Sequence, residues 1–298
     1  MRRLAIILLF TSSIALAALT PEDIETIRSE LREPVTLRLE NGQSILGFPT
    51  QVSDNQIQIK AADGAGEIIY TFQQAEIRSI EVPGESYKSL ALEWSRSGQN
   101  EDALALMDLL YAQRSLLIPI LPPSESNFFI IYAQLILDSP KPARAIAVTE
   151  RLKPQIQNPS AILALEDTIL ESYYTLELYQ TATELAATWV AQRNPYGASA
   201  LGYYVLGISK LREENYEEAL NLALRPIAFS TPIKTEKLAE CYALAISASL
   251  GLRDTDYATA LFAEMQERGF NWPDEEKLLD PFHEKLIKQL NKDASKTN

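Results

Sequence analysis

The sequence predicts an α+β protein of two parts, a small five-stranded N-terminal β-barrel followed by an all-α solenoid of stacked helix pairs. Three observations predict this fold class. Apolar residues alternate with polar ones from Val35 to Val82, which is the period of β-strands. From Pro83-Gly84 to Leu290 the apolar residues follow the period of an α-helix. Small residues recur at nearly constant intervals within the helical region, which indicates a repeat.

Residues 1–17 are interpreted as a signal peptide. Arg2 and Arg3 precede the apolar stretch Leu4 to Phe10, and Ala15-Leu16-Ala17 is a small-x-small cleavage motif. The apolar stretch is shorter than the roughly 20 residues that cross a bilayer. We therefore expect a periplasmic or secreted bacterial protein, with an uncleaved membrane anchor as the alternative. No cysteine lies near the cleavage motif, which disfavours a lipid anchor.

Residues 20–84 form the first predicted domain. Thr20-Pro21-Glu22-Asp23 has the cap, the proline and the acidic residue that open a helix. Asn41-Gly42 is a strong hairpin signal, because both residues tolerate the positive φ of a type I′ turn. The predicted strands are Val35–Leu39, Ser44–Phe48, Gln56–Lys60, Glu67–Phe72 and Ile77–Val82. One helix followed by five short strands resembles the Sm-like and SH3-like small barrels.

The second predicted domain covers residues 85–290, and residues 291–298 are expected to be a disordered tail. Alanines at 103, 145, 182, 219 and 258 are separated by 42, 37, 37 and 39 residues. Tyr203, Leu206, Gly207 and Ala219 stand at the offsets of the tetratricopeptide repeat (TPR), which this region resembles. Other helical-pair repeats are the alternative. The small residues let two antiparallel helices approach closely, and residues 282–290 suit a closing helix.

The TPR resemblance implies a scaffold that binds a protein or peptide partner on its concave face. The groove positions of the repeat correspond here to Lys88, Arg96, Asn127, Ile130, Gln134, Asp167, Glu171, Tyr174, Tyr204, Ile208 and Arg212. Ordinary packing or solvation of these residues is the alternative. Lys88 is followed by Leu92 where the TPR variant that clamps a terminal carboxylate has Asn, so that specificity is not indicated.

Composition argues against an enzyme and against nucleic-acid binding. The chain has one histidine (His283) and one cysteine (Cys241), which excludes a His pair and an intramolecular disulfide, and we expect neither a metal nor a cofactor. Its net charge of −13 opposes binding to nucleic acid. Two rival functions stay open: an envelope-assembly or secretion accessory that acts as a homo-oligomer, and an enzyme with a carboxylate-only site at Asp54 and Asp63. Membrane association is expected only through an uncleaved signal.

Overall fold

The computed structural model of this chain describes residues 19–53, 56–63, 66–192, 200–229, 237–273 and 276–297. The predicted signal peptide at residues 1–17 lies outside them, and so does Asp54. The chain divides into two compact units, Met1–Leu135 and Ile136–Asn298. This division differs from the boundary predicted between residues 84 and 85.

The first described element is helix α1, Pro21–Leu31, which begins as the sequence predicts. The Asp23 amide donates to Thr20 Oγ1 over 3.1 Å, and the Thr20 amide donates to Asp23 Oδ2 over 2.9 Å. This reciprocal capping box satisfies two backbone donors that a helix start would otherwise leave unpaired. The Thr20 hydrogen bonds lower the pKa of the Asp23 carboxyl. One face of α1 is buried through Ile27 and Leu31.

Five strands follow α1 and form one antiparallel sheet in the order β4-β3-β2-β1-β5. Their bounds are β1 Val35–Leu39, β2 Ser44–Val52, β3 Gln56–Asp63, β4 Gly66–Gln73 and β5 Ile77–Glu81. The predicted turn between β1 and β2 forms at Asn41-Gly42, but it is not the expected type I′ turn: Gly42 has φ +86°, whereas Asn41 does not have a positive φ. The first half of β2 pairs with β1 and its second half pairs with β3. β2 is therefore the middle strand that joins the two halves of the sheet.

The sheet is open, which corrects the expectation of a closed barrel. Within the described residues β4 and β5 are the two end strands, and no pairing joins them. The apolar face of the sheet is covered instead by a segment that follows the next helix pair. Leu117 and Ile120 of that segment are buried in the same cluster as Leu37, Ile57 and Ile59. Strand-to-strand closure is not needed to remove this face from water, because Leu117 and Ile120 do so.

The same packing explains why the first unit extends beyond residue 84. Gln113 Nε2 donates to the carbonyl of Leu31 over 2.9 Å, and Gln74 Nε2 donates to the carbonyl of Pro119 over 3.1 Å. Both bonds join the predicted first domain to residues beyond position 84. The sheet and the helices directly after it therefore share one core.

Eleven further helices lie within the described residues, as many as the helical period predicts. Their bounds are α2 Glu85–Arg96, α3 Asn100–Arg114, α4 Ser126–Asp138, α5 Pro142–Leu152, α6 Pro159–Thr175, α7 Tyr179–Gln192, α8 Leu201–Arg212, α9 Tyr216–Phe229, α10 Leu238–Gly251, α11 Thr255–Glu267 and α12 Asp280–Thr297. From α6 to α11 each helix packs against the next. In addition α6 contacts α8, and α8 contacts α10. Successive helix pairs are therefore stacked through their first helices, which is the geometry of an α-solenoid.

The small residues of the repeat are buried, as the solenoid prediction requires. The five alanines of the second helices have no exposed surface: Ala103, Ala145, Ala182, Ala219 and Ala258. Only a methyl group separates the backbones at these positions, so the two helices of a pair can approach closely. Asn158 caps α6 by accepting from the amides of Ser160 and Ala161.

The C-terminal end is helical further than the sequence predicts. Helix α12 extends from Asp280 to Thr297, so residues 291–297 are helical where a disordered tail was expected. The helix packs on α10 and α11, and Leu286 is fully buried there. It begins at the predicted Asp280-Pro281 pair. Among the described residues, no helix has both the length and the apolar character that crossing a bilayer requires.

Candidate functional site

The predicted groove residues of the first unit are Lys88, Arg96, Asn127, Ile130 and Gln134. Lys88 belongs to a compact cluster of four charges, with Nζ 2.5 Å from Glu85 Oε1 and 2.6 Å from Glu125 Oε1. Arg114, only 1% exposed, bridges the same two carboxylates over 3.0 and 2.7 Å. Burial opposes ionisation of Glu85, but the hydrogen bond from Lys88 and the charges of Lys88 and Arg114 lower the pKa of this carboxyl. Lys88 therefore forms ion pairs within the protein, with Glu85 and Glu125.

The other predicted groove residues of the first unit lie on its surface or close to it. Arg96 on α2 is exposed, and so are Asn127 and Gln134 on α4. Ile130, also on α4, is half-buried.

Two predicted carboxylates of the second unit hold neighbouring side chains. Asp167 accepts from Trp189 Nε1 over 3.0 Å, which ties α6 to α7. Glu171 lies 2.8 Å from Lys237 Nζ, and Glu240 lies 3.4 Å from the same atom. Burial acts against the charge of Lys237, but Glu171 and Glu240 raise the pKa of its ammonium group. Glu171 therefore stabilises the charged form of Lys237 at the start of α10.

Three predicted residues of the second unit do converge. The ring centres of Tyr174 on α6 and Tyr204 on α8 are 5.9 Å apart. Arg212, the last residue of α8, places its guanidinium carbon 6.0 Å from the Tyr174 ring centre and 3.4 Å from that of Tyr179. We call Tyr174, Tyr179, Tyr204 and Arg212 the Tyr–Arg site. Ile208, one turn before Arg212, is fully buried beneath it in the core.

A carboxylate from a distant part of the chain enters the Tyr–Arg site. The Tyr174 hydroxyl donates to Glu276 Oε2, and the Tyr204 hydroxyl lies 3.5 Å from the same oxygen. Arg212 lies 3.8 Å from Glu276 Oε1. Burial, together with the negative charge of Glu276, raises the pKa of both tyrosines. Both hydroxyls therefore stay protonated at neutral pH and can serve as hydrogen-bond donors.

Sequence reasoning missed two members of this arrangement. Tyr179 opens α7, and its aromatic ring holds Arg212, although the repeat pattern assigns no groove position to a second helix. Glu276 is 102 residues from Tyr174 in the sequence, in the connection between α11 and α12. No local pattern connects residues so far apart, so only the three-dimensional packing reveals the contact.

The groups that face Glu276 at this site are hydrogen-bond donors. They are the Tyr174 and Tyr204 phenols and the Arg212 guanidinium, none of which is a base or a nucleophile at neutral pH. The Cys241 thiol is fully buried in α10, and burial raises its pKa, which opposes formation of the reactive thiolate. His283 stacks on Trp272 with ring centres 4.3 Å apart. Within the described residues no group of three or more His, Cys, Asp or Glu side chains could hold a metal ion.

Comparison with known proteins finds similar solved structures but no similar family or curated sequence. No protein-family model and no curated protein matches the chain. Solved structures do match. A thermophilic TPR protein from Thermus thermophilus has a TM-score of 0.46 at 14% identity, over 68% of this chain and 98% of its own. MamA from Desulfovibrio magneticus RS-1, residues 41 to the end, has a TM-score of 0.44 at 14% identity, over 62% and 93%.

A third match comes from Podosopora anserina. It is a putative kinesin light chain with nearly identical TPR-like repeats, with a TM-score of 0.43 at 16% identity, over 62% of this chain and 93% of its own. The names of the Thermus thermophilus and Podosopora anserina structures state TPR or TPR-like repeats. These matches cover only part of this chain, and its stacked helix pairs are defined by its own contacts.

Proposed function

We propose that this protein is an exported, non-enzymatic scaffold that binds a protein or peptide partner of the cell envelope on the α6 and α8 face of its second unit. One observation supports this most directly. Tyr174, Tyr204 and Arg212, which the TPR resemblance assigns to a partner-binding face, lie together at the Tyr–Arg site. They come from the first helices of two successive pairs.

The residue types fit this role. Tyrosine and arginine are enriched among the residues that dominate binding energy at protein interfaces. Arg212 is 27% exposed, so it can be reached from solvent, and its stacking on Tyr179 restricts its conformations before any partner arrives. Such restriction reduces the entropy that binding would otherwise cost.

Binding at this face is tested by substitution of Arg212. We expect Arg212→Ala to lower the affinity for a purified envelope partner identified by cross-linking at least tenfold, which corresponds to about 1.4 kcal/mol. Arg225→Ala is the matched control, because Arg225 is an exposed arginine on α9 of the same unit. Equal affinity of the Arg212→Ala protein and the unsubstituted protein would refute the proposed face.

Export is tested on the protein from its native cells. Cleavage after Ala17 predicts a mature N-terminus at Ala18, which N-terminal sequencing of the envelope fraction measures. An N-terminus at Met1 in a cytoplasmic fraction would contradict export, and Met1 in the membrane fraction would indicate an uncleaved anchor.

A second candidate function is an envelope-assembly or secretion accessory that acts as a homo-oligomer, and strand β4 favours it. The strand is eight residues long, carries a single charge at Glu67, and exposes Ile68 by 40% and Ile69 by 59%. Within the described residues its outer edge has no partner strand. Long apolar edges of this kind are prone to pair with another strand. Antiparallel pairing of two β4 strands would keep their Glu67 side chains apart.

Light scattering distinguishes this alternative from a monomeric scaffold. If β4 pairs between copies, the mass should rise with concentration to that of a dimer, and Ile69→Lys should abolish the rise. Leu116→Lys is the control, because Leu116 is 61% exposed but lies outside the sheet. A monomer at every concentration would exclude self-assembly.

A further inference from the structure

The occupant of the Tyr–Arg site is a side chain of the protein itself. Glu276 reaches Tyr174, Tyr204 and Arg212 from the short connection that precedes α12. Its carboxylate is mostly buried, with 15% of the side chain exposed. The connection has no helical or strand structure at Glu276, so no regular element fixes this side chain in place.

The site is held together without Glu276. Arg212 stacks on Tyr179, and Tyr174 contacts both Tyr179 and Tyr204 with ring centres 5.7 and 5.9 Å apart. These contacts all join α6, α7 and α8. Aromatic and cation–π contacts of this kind fix side-chain orientation. Two hydroxyl donors and a cation would therefore stay close together after the carboxylate had left.

Two of the contacts that Glu276 makes are longer than ordinary hydrogen bonds. Arg212 is 3.8 Å from Oε1 and the Tyr204 hydroxyl is 3.5 Å from Oε2, whereas a charge-assisted hydrogen bond is about 2.7–2.9 Å long. A guanidinium can also bind a carboxylate through two parallel N–H donors. An untethered carboxylate could approach Arg212 more closely than the tethered one does.

We propose that the Tyr–Arg site is a receptor for a carboxylate group, and that Glu276 is an internal occupant which a carboxylate of the partner displaces. The part of this inference in which a partner supplies the carboxylate rests on the proposed function. Side-chain and C-terminal carboxylates share the recognised chemistry. Displacement would free the side chain of Glu276, so occupation of the site and the position of that side chain are coupled.

A second Tyr–Glu–Arg group in the same unit provides a matched comparison. The Tyr242 hydroxyl donates to Glu264 over 2.7 Å, and Arg268 contacts the same carboxylate over 2.7 Å. Glu264 and Arg268 are neighbours on one helical surface, and both are more than 40% exposed. This group has the same chemistry as the Tyr–Arg site but is open to water, so a free carboxylate should gain little there.

The receptor is tested first by chemical rescue. Glu276→Ala should lower the melting temperature, and acetate should then raise it by about 2 °C or more above the effect of sodium chloride at equal ionic strength. Acetamide, which is uncharged, should not. Glu264→Ala is the control and should show no acetate-specific gain. Absence of an acetate-specific gain in Glu276→Ala, or an equal gain in Glu264→Ala, would overturn the receptor.

Glu276→Gln provides the measurement if the alanine variant does not fold. The amide keeps the hydrogen-bond acceptor and the size of the side chain but removes the charge. A capped alanine peptide with a central glutamate should bind this variant roughly tenfold more tightly than it binds the unsubstituted protein, because the tethered competitor has been weakened. Equal affinities would show that Glu276 does not occupy the ligand position.

The source of the carboxylate is distinguished by three probe peptides. One has a central glutamate and an amidated end, one has only a free C-terminal carboxylate, and one has a central glutamine and an amidated end. The first two should bind through Arg212, each measuring one source, and the third should not bind. Binding of the glutamine peptide with equal affinity would overturn carboxylate recognition.

Displacement itself has a direct readout. The Leu278 amide donates to Glu276 Oε1 over 3.4 Å, so hydrogen exchange of this amide should accelerate when the glutamate peptide binds. Unchanged exchange with a bound peptide would refute displacement. Acetate rescue without any binding of an envelope partner would leave the receptor intact and refute only the proposed function, so the two failures are distinguishable.

Discussion

Gly207 of α8 faces Leu244 of α10 so closely that a side chain at position 207 would require Leu244 to shift. A Cβ atom at position 207 would lie 2.5 Å from Leu244 Cδ2, and Leu244 is fully buried. Carbon atoms in favourable contact are about 3.5–4.0 Å apart. The glycine that the repeat pattern requires is therefore explained by the close approach of two successive first helices.

We expect Gly207→Val to lower the free energy of unfolding by about 1–3 kcal/mol, because the added atoms would overpack the interface between α8 and α10. Urea denaturation followed by circular dichroism measures this change. The cause is isolated by combining it with Leu244→Ala, which removes the obstructing atoms. In that background Gly207→Val should cost less than in the unsubstituted protein, whereas purely additive effects would contradict the contact.

Local signals in the sequence were sufficient to predict the ends of several elements. Thr20 and Asp23, and likewise Asn158 and Ser160, bond to each other within three residues, so their caps depend on few other parts of the fold. The Asn41-Gly42 pair likewise specified a turn through its own backbone preferences. The five alanine positions could be predicted because a repeat applies the same packing requirement at a fixed interval.

Features that depend on distant packing could not be predicted in this way. The apolar face of the open sheet packs against Leu117 and Ile120, which lie more than thirty residues after β5. The repeat pattern assigned groove positions to Tyr174, Tyr204 and Arg212, but it did not point to Tyr179 or Glu276, which the structure places beside them. The contact between Tyr174 and Glu276 spans 102 residues and depends on how the connection before α12 folds back.

The shared core of the first unit predicts that a residue outside the sheet determines the stability of the sheet. Leu117 is 1% exposed and packs among the buried residues of β1 and β3. Leu117→Ala should lower the free energy of unfolding by about 2–5 kcal/mol, the usual cost of a buried Leu→Ala change. Urea denaturation measures it. Leu116→Ala is the control and should change stability by less than about 0.5 kcal/mol, because Leu116 is 61% exposed.

The charge cluster around Glu85 predicts a dependence of stability on pH. The lowered pKa of Glu85 means that the folded protein binds the proton less tightly than the unfolded chain does. The contribution of Glu85 to stability is therefore complete above the ordinary pKa of 4.5 and is lost as the pH falls through the pKa that Glu85 has in the folded protein. Between pH 7 and pH 3 the melting temperature of Glu85→Gln should fall less steeply at the acid end than that of the unsubstituted protein. A profile identical to that of the unsubstituted protein would contradict the role of Glu85.

Arg114 is the residue of this cluster whose loss should cost most. Its side chain is 1% exposed and lies 2.7 Å from Glu125 and 3.0 Å from Glu85. The Glu125 side chain is itself only 14% exposed. Arg114→Ala would leave two carboxylates, Glu85 and Glu125, sharing the charge of Lys88. One negative charge of the cluster would then be uncompensated, so Arg114→Ala should destabilise the protein by about 3–5 kcal/mol. Thermal and urea denaturation measure this loss.

A surface control and a double variant distinguish the loss of the Arg114 charge from the loss of its side-chain volume. Arg96→Ala on α2 removes an exposed arginine and should change stability by less than about 0.5 kcal/mol. Arg114→Met combined with Glu125→Gln keeps much of the side-chain volume and removes the excess negative charge, so that Lys88 is left with the Glu85 carboxylate. This pair should therefore recover part of the stability that Arg114→Ala loses. If the double variant were as unstable as Arg114→Ala, the loss would come from packing, because the unpaired charge would no longer be present to cause it.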